Sequence, residues 1–214
     1  MGAKQISLDN TTKNPWINIP AEEYEKHMFD AGQLQLLNFT LKHYLNLYHP
    51  KNIIVLGATT GNGFENIKHK TDSITAIDIN NDYLTELKNR FANLTQLSII
   101  CGDIQGLQLN NLSSDFIYAA LIFEYVDLNK TIGNIKNWLK IGGRLVTVLQ
   151  LPNKNIAAVS PTRFKSLEQL GKIMKLVDIT YFEEVMRENN FKKQEAETIT
   201  LPSSKQFYVV VHSK

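Results

Sequence analysis

The sequence predicts an α/β fold: a doubly wound, mostly parallel sheet with a helical segment before it and an antiparallel β-hairpin at its C-terminal end. Short apolar runs of strand length recur between residues 51 and 150, and helical patterns separate several of them. Two further strand-like segments flank a short turn near residue 203. Alternation of strands and helices produces right-handed βαβ units and a parallel sheet, whereas a short turn joins antiparallel neighbours.

The first fifty residues are predicted to form a helical cap segment before the main domain, residues 51–214. Residues 1–15 are polar and irregular. A helix is predicted from about residue 21 to residue 48, because leucines recur there at intervals of three or four residues and share one face. Pro50 ends this helix, since proline disfavours helical backbone before it and cannot donate a backbone hydrogen bond.

Apolar runs of strand length form the parallel part of the sheet. Runs without polar alternation are typical of parallel strands that helices cover on both faces. The predicted strands cover residues 52–56, 73–77, 97–101, 116–123 and 144–149, and helices are predicted over residues 82–93 and 129–139.

The last third of the chain changes character. Residues 152–180 are predicted to form an insert that covers an acceptor or makes a dimer contact, although their lysines also suit an ordinary solvated helix face. Two helices are predicted here and just after, and two strands follow as a hairpin. The helices cover residues 166–177 and 181–190, and the strands cover residues 197–201 and 206–211.

Composition and charge exclude several classes of protein. The 214 residues are 43% hydrophobic and 21% charged, which is enough apolar material for a sizeable core. The net charge of +2 argues against binding to duplex nucleic acid. A single cysteine excludes an internal disulfide framework, and the five histidines lack metal-ligand spacing, so no metal site is predicted. No run resembles a membrane span or a signal peptide, and a cytoplasmic protein is expected.

A glycine-rich turn follows the first predicted strand. Glycines at positions 57, 61 and 63 let the backbone turn sharply and approach a ligand, and a helix starting there would point its N–H groups at a carboxylate or phosphate. Such a turn can also be only a tight connection. What favours a binding site is Asp78, which follows the second strand and lies 21 residues after Gly57.

Asp78 is suited to accept hydrogen bonds from both hydroxyl groups of a ribose. The alternative is that Asp78 caps the helix that starts near Asn81. Asn80 and Asn81 can cap that helix instead, which weakens the alternative.

Asp103 follows the third strand and can accept a hydrogen bond from an adenine amino group. Ile79 and Ile104 would then be apolar walls for the ring. The alternative is an Asp-initiated turn, because Asp beside glycine is ordinary turn chemistry. Glycines, Asp78 and Asp103 at three strand ends together describe a nucleoside pocket.

These residues make the chain resemble the class I S-adenosylmethionine-dependent methyltransferases, with a resemblance that covers about residues 20–214. It implies a Rossmann-like sheet of seven strands, with the last antiparallel, and S-adenosylmethionine as cofactor. It also implies that the glycine turn, with Gly57, Ala58 and Gly61, holds the methionine portion. Asp78 would hold the ribose and Asp103 the adenine. The matching stretches are residues 53–64, 76–84, 100–107, 115–127 and 139–149.

Two positions depart from the family pattern. Val55 stands where the family has an acid, and Thr59 stands where it has the middle glycine of the turn. Both favour an alternative in which the protein keeps the fold and binds S-adenosylmethionine without catalysis. A third interpretation, an NAD(P)-binding short-chain dehydrogenase, suits the glycine spacing but needs a Tyr-x-x-x-Lys pair, and no tyrosine here has lysine four residues later.

The residues near the predicted end of the fourth strand are candidates for the reaction itself. Phe123 is predicted to contact the cofactor, and Glu124 to act as a catalytic base or as a ligand for an acceptor amine, with a solvated loop acid as the alternative. Tyr125 and Tyr24 are predicted to contact the acceptor, although packing is the more ordinary role for each of these tyrosines.

A small-molecule acceptor is expected, with no nucleic acid and no membrane partner. The acceptor atom stays open, and so does the oligomeric state, a homodimer included.

Overall fold

The chain folds around one seven-stranded sheet. The computed structural model describes residues 14–67, 70–109 and 112–214, so most of the predicted irregular stretch and His69 lie outside the described residues. The strands are β1 (Asn52–Leu56), β2 (Ser73–Asp78), β3 (Leu97–Cys101), β4 (Ser114–Ala120), β5 (Leu139–Gln150), β6 (Lys192–Thr200) and β7 (Gln206–Ser213). The helices are α1 (Ala21–Asp30), α2 (Gln33–Tyr48), α3 (Asn81–Arg90), α4 (Leu128–Trp138), α5 (Lys165–Glu168), α6 (Leu170–Ile173) and α7 (Ile179–Glu188).

The strand order confirms the predicted fold class. The order is β3-β2-β1-β4-β5-β7-β6. Strands β1 to β5 pair in parallel, and β7 pairs antiparallel with both β5 and β6. The order reverses between β1 and β4, and ligands of open α/β sheets bind at the carboxyl ends of the strands beside such a switch point.

Helices cover both faces of the sheet. Alternate residues of β1 point to opposite faces, so Ile53 and Val55 join one buried cluster while Ile54 and Leu56 join the other. The first cluster contains apolar residues of α2 and α3, and the second contains those of α4 and α7. Because α2 packs directly on the sheet, it belongs to the core of the main domain.

The single helix predicted over residues 21–48 is wrong in one respect, because it is two helices. Gly32 adopts a left-handed conformation, with φ of 72°, between the end of α1 and the start of α2. Glycine has no Cβ and takes this conformation without steric cost. The break lets α1 leave the sheet and lie over the carboxyl ends of the strands.

Other elements also differ from the prediction, and β5 begins at Leu139 rather than at residue 144. Strand β4 ends at Ala120 rather than near residue 123, because Leu121 has a φ of 53° and turns the chain. The helix predicted over residues 166–177 is two four-residue helices, α5 and α6. The glycine turn leads only into a 3₁₀ turn, Phe64–Asn66, so the expected α-helix N-terminus beside the ligand is wrong.

Gly61 lies where the glycine turn packs tightly against its neighbours. Its φ is 91°, and a Cβ placed there would lie 2.6 Å from Cε2 of Phe91. Gly61→Ala is therefore expected to destabilise the protein by about 2–4 kcal/mol, through crowding and backbone strain.

Gly133 in α4 is the matched control, because nothing lies within 4 Å of its added Cβ. Gly133→Ala is expected to stabilise the protein by about 0.5–1 kcal/mol. Denaturant unfolding of both variants checks the pair. Equal effects of the two substitutions would show that Phe91 does not constrain the turn.

Candidate active site

A cavity opens at the carboxyl ends of the parallel strands. The space between its walls is about 640 Å³, open solvent included. The structure brings seven of the predicted site residues to it: Tyr24, Gly57, Asp78, Ile79, Asp103, Ile104 and Tyr125. The other predicted site residues, Ala58, Gly61, Phe123 and Glu124, do not line it.

Asp78 lies at the floor of this cavity, where β2 ends. Its Oδ2 accepts a hydrogen bond from the Thr59 N–H at 2.8 Å, and its Oδ1 accepts one from the Asn80 N–H at 2.9 Å. Burial raises the pKa of Asp78 to about 6, although these backbone hydrogen bonds oppose the shift. A carboxylate offers about four lone-pair sites, so Asp78 retains acceptor capacity toward the cavity.

The helix cap predicted as an alternative role for Asp78 belongs to Asn80. The Asn80 side chain accepts hydrogen bonds from the N–H groups of Asp82 and Tyr83 and so caps α3. Its amide group also donates to the Trp16 carbonyl at 2.9 Å. Asn80 therefore ties the segment before α1 to the cavity, and the Asp78 carboxylate is free of the capping role.

Asp103 is exposed at the rim of the cavity. Its Oδ1 accepts hydrogen bonds from the backbone N–H of Gln105 at 2.9 Å and from the Gln105 side chain at 3.0 Å. The Asp-initiated turn predicted as the alternative is therefore present. Asp103 also lines the cavity, so the turn is compatible with the predicted contact to an adenine amino group.

The glycines of the turn differ in where they face. Gly57 has a φ of 64° and lines the cavity, where a Cβ would lie 3.1 Å from Ile122. Ala58 is 4% exposed and packs in the core. Gly61 faces Phe91 and Leu87 of the core, so its glycine is required by packing on the side away from the cavity.

Thr59 carries backbone strain. It lines the cavity with a φ of 48°, a conformation that costs a β-branched residue about 1–3 kcal/mol. Thr59→Gly is expected to raise the free energy of unfolding by about 1 kcal/mol after the entropy of the unfolded glycine is subtracted. Affinity for S-adenosylmethionine should stay equal or improve, because the N–H that bonds Asp78 is retained.

Thr59→Ala is the matched control, since it removes the hydroxyl and methyl groups but keeps a Cβ at positive φ. Unfolding curves and calorimetric titrations of both variants check the prediction. A large loss of affinity in Thr59→Gly would mean that the threonine side chain itself contacts the ligand.

An aromatic wall, defined here as Trp16, Tyr24 and Tyr125, closes one side of the cavity. The Trp16 ring lies edge-on to Tyr24 and Tyr125, with ring centroids 5.6 and 5.0 Å apart. Burial raises the pKa of both phenols, so they stay protonated and uncharged.

A second chamber lies on the other side of the aromatic wall. It is bounded by the wall itself and Leu121, and by residues of α1, α6 and the hairpin turn. Its walls enclose about 460 Å³, open solvent included. The other polar residues that line it are His27, Gln33, Gln150, Ser160 and Lys205.

Several of these lining residues carry no sequence signal. Leu121 and Ile122 reach the cavity because the chain turns at positive φ after β4. Lys205 reaches the chamber from a hairpin turn, where a lysine is normally solvated. Gln105 lines the cavity, and its side chain donates a hydrogen bond to Asp103. Neither periodicity nor spacing predicts such placements.

Solved structures share this fold at low sequence identity. The N-methyltransferase NodS from Bradyrhizobium japonicum WM9, in complex with S-adenosyl-L-homocysteine, is 18% identical over 91% of this chain and 88% of NodS, with a TM-score of 0.63. The [4+2]-cyclase SpnF is 13% identical over 83% of this chain and 80% of SpnF, with a TM-score of 0.65. An S-adenosylmethionine-dependent methyltransferase from Methanosarcina mazei is 15% identical over 76% of this chain and 92% of its own, with a TM-score of 0.58. These identities establish the fold alone.

The sequence profile of a methyltransferase domain matches residues 54–147, which contain the glycine turn, Asp78 and Asp103. Residues 54–147 therefore form a methyltransferase domain, and the chain has the fold of the class I S-adenosylmethionine-dependent methyltransferases. No curated protein matches it.

Val55 is one of the two departures from the family pattern. Its side chain is 4% exposed and packs in the cluster with α2, away from the cavity. An acid at this position would be buried among apolar groups unless the turn shifted. Valine therefore suits the local packing of this chain.

Glu124 and Phe123 lie behind the walls of the cavity. Phe123 is 2% exposed and packs beside Phe182, with ring centroids 5.6 Å apart. Glu124 is 1% exposed, and its Oε1 accepts a hydrogen bond from the Gln150 N–H at 2.8 Å, while Oε2 has no hydrogen-bond partner among the described residues. The alternative of a solvated loop acid is therefore wrong, and the catalytic role of Glu124 stays a prediction.

Burial raises the pKa of Glu124 to about 7. Its backbone carbonyl accepts from the Lys175 N–H at 2.8 Å, and its carboxylate accepts from the Gln150 N–H at the end of β5. Glu124 thus joins the ends of β4 and β5 to the segment that covers the second chamber.

Two further features concern the described residues only. Among them, no helix is both long and apolar enough to cross a membrane. Within the same ranges, no group of three or more His, Cys, Asp or Glu side chains is arranged to hold a metal ion.

Proposed function

We propose that the protein transfers a methyl group from S-adenosylmethionine in the strand-end cavity to a small-molecule acceptor in the second chamber. The observation that carries this proposal is that the cavity and the chamber share one boundary, the aromatic wall with Leu121. A donor and an acceptor on the two sides of one thin wall can be brought into line by small movements of these side chains.

The cavity residues fit the proposed cofactor. Asp78 is a buried carboxylate with spare acceptor capacity, which suits the two ribose hydroxyl groups. Asp103 at the rim accepts from the adenine amino group, and Ile79 and Ile104 contact the ring. Gly57 lets the backbone approach the methionine portion, while Ala58 and Gly61 shape the turn from the core side.

When bound, S-adenosylmethionine supplies a methyl group on a sulfonium, which is already a good leaving group. The chain therefore needs mainly to orient the acceptor and exclude water. Trp16, Tyr24 and Tyr125 supply uncharged walls for this purpose. Glu124 is proposed to take up a proton from the acceptor or, through Gln150, to hold the chamber in shape.

The acceptor is proposed to be small because two segments of the chain border the chamber from opposite sides. Residues of the N-terminal segment, 16–33, form one side, and residues 158–174 form the other. Leu167 and Leu170 of the second segment pack in one cluster with Ile19, Tyr24 and Met28 of the first. We propose that the two segments together act as the cap over the acceptor.

A second candidate is a protein with this fold that binds S-adenosylmethionine without transferring its methyl group. Val55 and the strained Thr59, which depart from the family pattern, favour it. The shared fold of a [4+2]-cyclase also shows that such a scaffold can host another reaction.

Turnover distinguishes the two candidates. The protein is incubated with methyl-labelled S-adenosylmethionine and pools of small amines, phenols, thiols and carboxylates, and formation of S-adenosylhomocysteine is measured. Acceptor-dependent product that disappears in Asp78→Ala supports methyl transfer. Binding of the cofactor with no product from any pool supports the second candidate.

A further inference from the structure

Lys205 occupies an unusual place for a lysine. It lies in the turn between β6 and β7, yet it is 3% exposed and its side chain lines the second chamber. Lysine is almost never fully buried without a partner, because removing an ammonium group from water is costly. A feature of the chamber should therefore compensate for this burial.

The hydrogen bonds that the protein offers to the buried Lys205 ammonium group do not use all of its donors. Lys205 Nζ donates one hydrogen bond, to the Ala158 carbonyl at 2.6 Å, although an ammonium group has three donors. No carboxylate lines the chamber, and Lys205 forms no ion pair with the described residues. Burial lowers the pKa of Lys205 to about 8, so the group remains mostly charged at neutral pH.

The other walls define the remainder of the ligand. Met28, Leu170 and Met174 are apolar, and Gln33 and Gln150 offer neutral polar groups. The Gln150 side chain donates to the same Ala158 carbonyl at 2.8 Å, so that carbonyl already has two donors. His27 is also partly buried, and burial lowers its pKa, which leaves Lys205 as the main cation of the chamber.

We propose that the second chamber binds an acceptor with an apolar body and one carboxylate group, which Lys205 Nζ holds. This assignment rests on the proposed function, because it names the substrate class of the same site. A single lysine among apolar walls suits a monoanion. Among the described residues, no arginine lines the chamber, and arginine is the residue whose planar fork is preferred for phosphate groups.

The test uses full-length protein saturated with S-adenosylhomocysteine and titrated with matched pairs of ligands. The probes are benzoate and benzamide, phenylacetate and phenylacetamide, indole-3-acetate and indole-3-acetamide, and hexanoate and hexanamide. The carboxylate should bind about tenfold or more tightly than its amide in at least one pair, as expected for a charge-assisted hydrogen bond to an already buried ammonium.

Lys205→Met should abolish that preference while affinity for S-adenosylhomocysteine stays unchanged. Lys205→Gln is the second variant, because its amide can still donate to the Ala158 carbonyl without a charge, and it too should lose the preference. Lys172→Met, an exposed lysine of α6, is the matched control and should keep it.

The possible failures are distinguishable. Equal affinity for carboxylate and amide in every pair, with normal binding of S-adenosylhomocysteine, would overturn the carboxylate assignment alone. A preference that persists in both Lys205 variants would overturn the role of Lys205. Failure of wild-type protein to bind S-adenosylhomocysteine would instead contradict the proposed function.

Discussion

Asp78→Ala is expected to weaken binding of S-adenosylmethionine by about 1.5–3 kcal/mol, the range for hydrogen bonds to a charged group. The proposed reason is the loss of the acceptor for the ribose hydroxyl groups. The substitution also leaves the Thr59 and Asn80 N–H groups without their acceptor, which costs further stability of about 1–3 kcal/mol per buried group. Isothermal titration calorimetry and unfolding curves measure the two effects separately.

Two variants separate binding from folding in this experiment. Asp78→Asn keeps a side-chain oxygen for one backbone N–H, so it should fold better than Asp78→Ala yet bind the cofactor more weakly than wild type. Asp82→Asn removes a charge from an exposed position four residues away and should leave affinity unchanged. Wild-type affinity in Asp78→Ala would exclude Asp78 from the cofactor site.

Glu124→Gln is expected to stabilise the protein at pH 8 by on the order of 3 kcal/mol relative to wild type. Burial raises the pKa of Glu124 to about 7 from an ordinary value of 4.5, so the folded state favours its protonated form. The contribution of Glu124 to stability is therefore fully present below pH 4.5 and is lost as pH rises through 7. Glutamine has a similar shape and no charge, so it does not lose this contribution.

The difference in the free energy of unfolding between wild type and Glu124→Gln, measured as a function of pH, reports on Glu124 alone. Burial also raises the pKa of Asp78 and lowers the pKa of His27, so the wild-type profile alone is a mixture. The difference between wild type and Glu124→Gln should be near zero at pH 4.5, grow toward pH 7 and then level off. A difference that does not change with pH would show that Glu124 titrates normally in the folded protein.

The turnover of the Glu124→Gln variant tests the proposed catalytic role of Glu124. We expect turnover to fall more than affinity for S-adenosylhomocysteine. Equal losses in both would place Glu124 in the cofactor site rather than beside the acceptor.

The bounds of β1 could be predicted because a wholly apolar run flanked by polar residues identifies a strand covered on both faces. The edge strand β3 also has the predicted bounds, although it is only partly buried. β6 is longer than predicted because nearly all of it is exposed, and an edge strand of lysine and glutamate has no apolar pattern. The break at Gly32 and the turn at Leu121 depend on tertiary packing, which periodicity does not record.

The site likewise contains residues that could be predicted from the sequence and residues that depend on tertiary packing. Asp78, Asp103 and the two isoleucines after them line the cavity because parallel strands end at one edge of the sheet. The glycine spacing predicted the turn but not which way Gly61 faces, since the neighbours that crowd it come from α3 and the residue after it. Lys205 gave no signal, because a lysine in a hairpin turn is ordinarily solvated.

The most direct test of the central claim is thermal unfolding of the wild-type protein with S-adenosylmethionine, S-adenosylhomocysteine and NADP in parallel. A ligand at a hundredfold excess over its dissociation constant adds about 2.7 kcal/mol, which raises the Tm of a chain of this size by roughly 5–10 °C. We predict such a shift with the first two ligands and none with NADP. A shift with NADP alone, or no shift with either adenosyl ligand at millimolar concentration, would contradict the proposed cofactor site.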